Sequence, residues 1–179
     1  MGQCLSNKNT KVKPDMQSEL LASKLEAVHG KIMISIHELH IISLECTEGI
    51  EKCIIEDDRD LAVLLRLKYV LIKSKSSALQ DLIKKIDEVE PNDKQRKKKM
   101  VLSEAESVLE SLTQLLTQKD VEKILKKEPE YNDSVLKEVK RCNLDETEAE
   151  KFVDNEIKER NASPSRRNRR KYSRRLTSL

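Results

Sequence analysis

Aromatic side chains are nearly missing: three Tyr, one Phe and no Trp occur in 179 residues. Globular cores and enzyme pockets lean on rings, because each buries a large apolar area. Their scarcity points away from a compact globule with an aromatic-lined pocket. Glycine and proline are scarce as well, at three and four residues, which disfavours a loop-rich or many-turned β fold. Long apolar runs are missing too. Clusters such as Leu61 to Leu65 fall far short of the roughly 20 residues a membrane span needs. With no secretory signal either, the chain reads as cytosolic, with reduced thiols and only peripheral membrane contact. The four cysteines, Cys4, Cys46, Cys53 and Cys142, show no paired metal-ligand spacing. Cys46 and Cys53 lie seven apart, on one helical face, and are read as packing residues.

What is present is charge and aliphatic bulk. Charged residues make up 37% of the chain, interleaved with Leu, Ile and Val, the composition of long amphipathic helices. The net charge of +3 hides an uneven distribution. Residues 101–160 carry sixteen acids against ten bases, whereas residues 161–179 carry seven bases and no acid. An acidic segment of this kind can fold back on a basic one, or release it to an anionic partner.

The predicted fold class is all-α: a long antiparallel helical hairpin plus shorter helices, between a disordered N-terminal leader and a basic tail. Residues 1–14 are polar and end in Pro14, a flexible leader. From Met16, apolar residues recur in steps of three and four through Leu21, Leu25, Val28, Ile32, Ile36, Leu39, Ile42, Cys46, Ile50 and Cys53. That is one long helix with a continuous stripe, ending at Glu56-Asp57-Asp58. A second stripe runs through Leu61, Leu64, Leu65, Leu71, Ile72, Leu79, Leu82, Ile86 and Val89. Lys68 and Lys75 hold two of its positions, where stems can pack while the ammonium groups snorkel outward. The short link makes 15–90 an antiparallel hairpin, with Pro91 as a kink or a break.

A third helix carries Val101, Ala105, Val108, Leu109, Leu112, Leu115 and Leu116, and Thr117 with Asp120 is read as the cap of a short fourth. These helices, over 100–127, complete a core spanning 15–127. Pro129 is read as a stop signal, and Asn143 with Glu146 as the cap of an acidic helix through Phe152, Val153 and Ile157. Residues 128–160 are thus an acidic regulatory region, and 161–179 a disordered basic tail.

The motif richest in chemistry is Met1-Gly2-Gln3-Cys4-Leu5-Ser6, the pattern for N-myristoylation of Gly2 once Met1 is removed. One acyl chain attaches only marginally, so a second signal is required: a palmitoyl group on Cys4, or Lys8, Lys11 and Lys13 meeting anionic headgroups. His37-Glu38-Leu39-His40 is one residue short of the zincin spacing and is read as a packed or solvated pair. No phosphate-cradling glycine loop, nucleophile elbow or paired catalytic acids occur, so neither enzymatic activity nor a metal or cofactor is expected. In the tail, Arg166, Arg167, Arg169, Arg170, Lys171, Arg174 and Arg175 form a cationic cluster that suits anionic lipid, nuclear import or RNA. Tyr172 is its single aromatic, which provides no stacking platform and points away from nucleic acid.

The order of these parts resembles the ESCRT-III proteins, also called charged multivesicular body proteins: a myristoylation leader, a long hairpin, shorter helices and a late acidic helix. The segment Leu109-Glu110-Ser111-Leu112-Thr113-Gln114-Leu115-Leu116-Thr117-Gln118-Lys119-Asp120-Val121-Glu122-Lys123-Ile124-Leu125 is similar to the third-to-fourth helix junction of the family's myristoylated nucleating members. The spacing from Leu71 to Val89 is similar to the family's second helix. The resemblance implies a subunit acting in multivesicular body formation and endosomal sorting. It would sit on endosomal membrane through Gly2, receive the ESCRT-II complex on its first helix, and nucleate a hetero-polymer of other ESCRT-III subunits. It also implies an acidic region, with Glu146, Glu148, Glu150 and Glu156, that restrains assembly. Two differences stand out. The first helix carries only Lys24, Lys31 and Lys52 as formal cations, so the lipid bears more of the membrane attachment. The arginine tail replaces the acidic or proline-containing motif that would recruit the family's disassembly ATPase. Without the resemblance, the same residues describe a myristoylated coiled-coil scaffold in membrane signalling.

Both readings require the acyl chain, which contributes about 0.8 kcal/mol per buried CH₂. Gly2→Ala should move the protein from membrane to cytosol on cell fractionation. A variant that pellets with membrane as well as the parent chain would show that Gly2 is not the anchor.

Overall fold

In a computed structural model of the chain, the described residues are 16–90, 93–113 and 119–162. They form six helices and no strand: α1 (Met16–Glu56), α2 (Arg59–Asp87), α3 (Gln95–Thr113), α4 (Lys119–Leu125), α5 (Pro129–Arg141) and α6 (Glu146–Ala162). The leader, with Gly2, Cys4, Lys8, Lys11 and Lys13, lies outside the described residues, as do Pro91, Leu115, Leu116, Thr117 and the arginine tail.

α1 has 41 residues, about 60 Å of helix. Its predicted stripe is its buried face: Leu21, Leu25, Val28, Ile32, Leu39, Ile42, Cys46, Ile50 and Cys53 are all in the core, and Ile36 is half-buried. α2 lies alongside with its own stripe inward. His29 sits 3.7 Å from Asp87, and a Cβ on Gly49 would approach Leu65, so the two helices run in opposite directions. α3 returns along the open end of this pair. Lys98 donates to Ser18 Oγ at 2.9 Å, and Lys85 meets Glu104 at 2.5 Å. α2, ending at Asp87, and α3, beginning at Gln95, are therefore separate helices.

Three helix ends show how so few glycines suffice. The chain turns out of α1, α4 and α5 through residues with positive φ: Asp57 (63°), Lys127 (60°) and Asn143 (50°). At each, a backbone N–H reaches back past the last turn: Asp58 to Cys53, Glu128 to Lys123, and Leu144 to Val139. This is the bonding that usually accompanies glycine at a helix end.

Three expectations are corrected. Pro129 does not stop a helix but opens α5, because its missing N–H costs nothing in the first turn and its fixed φ suits a helix start. The stop belongs to Lys127, two residues earlier. Asn143 does not cap α6. It ends α5, and Asp145 caps α6 by accepting from the Thr147 N–H at 2.8 Å. Lys68 does not snorkel: the whole residue is buried, at 0% exposure, on the side of α2 that faces Cys46 of α1. Lys75 is largely buried too, its ammonium 3.5 Å from Glu138 on α5.

Leu79 has no exposed area and sits mid-stripe on α2. Leu79→Ala should cost roughly 2–5 kcal/mol in denaturant unfolding. Ser77→Ala, on the exposed side of the same turn, should stay within about 0.5 kcal/mol. Equal effects at the two positions would mean that the stripe is not the core.

Candidate functional site

The most densely tied point in the fold is the turn between α1 and α2. α1 ends at Glu56, Asp57 takes the left-handed conformation, and Asp58 caps α2 by accepting from the Leu61 N–H at 3.3 Å. That short acidic turn leaves Asp58 and Arg59 adjacent and outward. Each holds a different late helix. Lys127, at the end of α4, donates to Asp58 at 2.7 Å. Arg59 forks onto Asp154 of α6, Nε to Oδ1 at 2.7 Å and Nη2 to Oδ2 at 3.1 Å. A third tie comes from Arg160 near the end of α6, which donates to the Ile54 carbonyl.

Away from the turn, the late helices lie on α2. Arg66 stands 3.8 Å over the Phe152 ring of α6, while Ala149 and Val153 are buried beneath. On α5, Glu138 is buried and accepts from Arg141, and the Cys142 thiol approaches the same oxygen at 3.5 Å. α4 packs by Leu125 close to Gly49 and by Lys123, which donates to Tyr131 on α5 and covers its ring at 3.9 Å.

The electrostatics follow from these pairs. The Lys127 hydrogen bond holds Asp58 below the ordinary carboxylate range, and the Arg59 hydrogen bond does the same for Asp154. Their partners are raised in turn, Lys127 by Asp58 and Arg59 by Asp154. For Glu138, burial pushes the pKa up, but Arg141, Cys142 and Lys75 outweigh it and the net direction is down. Burial pushes the Cys46 thiol up to about 12 and Cys53 up to about 11, so both are protonated packing groups at neutral pH. The turn is thus a set of fully charged, solvent-reachable groups. These pairs hold the late helices against the turn.

The acids singled out in the sequence stand mostly elsewhere. Glu146 and Glu148 occupy the first turn of α6 and are exposed, where they complement the positive end of the helix. Glu150 is exposed and adds to the field on Arg59, and Glu156 is half-buried. The residue that joins α6 to the turn is Asp154, which the sequence reading passed over. The signal available was an acid lying among Phe152, Val153 and Ile157. The basic run at Lys94–Lys99, the natural electrostatic partner for an acidic segment, is not the partner of α6. It opens α3 at the far end of the α1–α2 pair, where Lys97 meets Asp93 at 2.7 Å. His37 and His40 are both exposed with Leu39 buried between them. Among the described residues no group of three or more His, Cys, Asp or Glu side chains is placed to hold a metal ion, and no helix is long and apolar enough to cross a membrane. The chain matches no protein-family model, no curated protein and no solved structure.

Of the five lowered carboxylates, Asp58, Glu138, Asp145 and Asp154 lie on or against the late helices and set their pH dependence, while Asp93 lies before α3. Each contributes stability that is complete above its unfolded pKa and is lost as pH falls through its lower folded value. Docking of α4, α5 and α6 should be level from about pH 5 to 8 and weaken below about pH 4. Hydrogen exchange checks this: α6 amides should open on acidification, and in Arg59→Ala at neutral pH, while α2 amides stay protected. Simultaneous opening of α2 and α6 would show that α6 is not a separable element.

Proposed function

We propose that the chain is an ESCRT-III subunit in multivesicular body formation, anchored to endosomal membrane through a myristoylated Gly2, which nucleates polymerisation of other ESCRT-III subunits. The observation that carries this reading is the seat of α6. A late acidic helix lies across the turn of a long helical pair, held by the exposed Arg59–Asp154 fork over a small apolar patch of Ala149 and Val153. Such a contact is strong enough to close the chain and weak enough to release, because exposed ion pairs are screened by salt and compete with water.

In the proposed cycle the closed chain is the soluble form. Binding of ESCRT-II to α1, or arrival at the membrane, draws α6 off the turn and exposes the side of α2 that carries Arg59 and Arg66. A neighbouring subunit then takes the place of α6. Only differential affinity for the open chain is needed, and no bond is broken. The restraint acts through Arg59 and not through Lys94–Lys99, so the turn is the place where assembly is controlled. The arginine tail is a second anionic-lipid contact.

The experiment is light scattering of the full chain and two truncations with the next ESCRT-III subunit on liposomes. Removal of residues 143–179 should increase assembly, and removal of residues 161–179 alone should not. If neither truncation assembles better than the full chain, α6 is not a restraint.

A further inference from the structure

The solvent side of α1 has a pattern of its own. Opposite the buried stripe, Leu20, Ala27, Ile34 and Ile41 recur every seven residues, and Ser23, Gly30, His37 and Leu44 repeat three residues behind them. This is the a and d spacing of a coiled-coil seam, on a face of α1 whose residues are exposed except for the half-buried Ile41. Leu20 is 58% exposed, Ile34 61% and Leu44 51%, with Met16 at 81% where the seam begins. Large apolar side chains left in water on one heptad face mark a partner surface.

Gly30 adds a separate oddity. Glycine inside a helix is destabilising relative to alanine, yet nothing lies within 4 Å of a Cβ built at this position. Among the described residues no contact explains the missing side chain.

The flanking charges identify the partner. Lys24, Lys31, Glu38 and Glu45 also recur every seven residues along one edge of the seam, basic in the first half and acidic in the second. None of the four makes an ion pair among the described residues. Turned over against an identical helix about a two-fold axis near Ser35, the edge complements itself: Lys24 faces Glu45 of the other copy, and Lys31 faces its Glu38. The same register sets large against small within the seam. Leu44 enters the space over Ala27, Ile41 enters the space over Gly30, and Ile34 meets His37. By symmetry every pair occurs twice, as an isologous interface requires.

We propose that the outer face of α1 is a homodimer interface, in which two copies of this chain pair their first helices antiparallel. A lipid surface is the poorer occupant, since Glu38, Glu45, Glu48 and Glu51 would repel anionic headgroups. Beyond the central layers the seam turns polar at Glu48 and Glu51, which makes the pair reversible. The proposal does not rest on the ESCRT-III reading, and it involves neither Arg59 nor α6.

Sedimentation velocity of the full chain over a concentration series tests it. The parent chain should pass from monomer to dimer. Gly30→Trp, at an exposed position where a Cβ has open space, should stay monomeric with unchanged helix content. Lys24→Glu with Lys31→Glu, and separately Glu38→Lys with Glu45→Lys, should each lose self-association. Mixed together, the two charge-reversed chains should form a heterodimer, which antiparallel edge pairing alone accounts for. A parent chain that stays monomeric overturns the proposal, as does self-association indifferent to these substitutions or a mixture that fails to pair. Substitutions that impair only co-sedimentation with anionic vesicles overturn it in favour of a membrane face.

Discussion

An aliphatic seam, from Leu21 to Cys53 on α1 and from Leu61 to Ile86 on α2, is the constraint on which the other elements depend. With four aromatic side chains in the chain, apolar area has to come from many Leu, Ile and Val residues, each contributing about 1.5–3 kcal/mol when fully buried. Side chains of that size, placed every third or fourth residue, generate length and not girth. The result is a long helical pair with room for further helices only along its flanks. Lys68 and Cys46 show how tight the middle of that seam is: both are wholly enclosed, and burial is the largest cause of the raised thiol pKa.

The flanking helices are attached differently at the two ends. α3 adds Val101, Leu102 and Ala105 to the core, together with the buried Lys98 bonded to Ser18, and so behaves as part of the seam. At the turn, α4 and α6 bury Val121, Ile124, Ala149 and Val153 and are oriented by the exposed pairs Lys127–Asp58 and Arg59–Asp154. Coulombic ties at an exposed turn respond to salt, acid and competing charges, whereas a buried aliphatic contact does not. The proposed release of α6 draws on this difference, because its polar ties lie where the charges meet water.

α1 is the element in which both kinds of surface coincide. Its inner face follows the steps of three and four that packing on α2 requires. Its outer face follows a strict seven-residue repeat, with a glycine where no neighbour among the described residues needs one. A helix about 60 Å long can carry two such patterns because their apolar positions fall on opposite sides. The inner one holds the monomer together and the outer one faces away from it.

Helix content, the inner stripes of α1 and α2, and the end of α1 at Glu56-Asp57-Asp58 could be read directly from residue order. They depend on local periodicity and on a backbone turn a few residues long. The existence of α5 was legible in principle from Tyr131, Val135 and Val139, but Pro129 can end one helix or begin the next, and only its neighbours decide. The burial of Lys68, the pairing of Arg59 with Asp154 across 95 positions, and the separation of α6 from Lys94–Lys99 were decided by tertiary structure. Charge composition says that opposite charges will meet, since attraction between them is general. Which ones meet depends on where rigid helices place them, and Arg59 and the Lys94–Lys99 run come to stand at opposite ends of the α1–α2 pair only once that pair is folded.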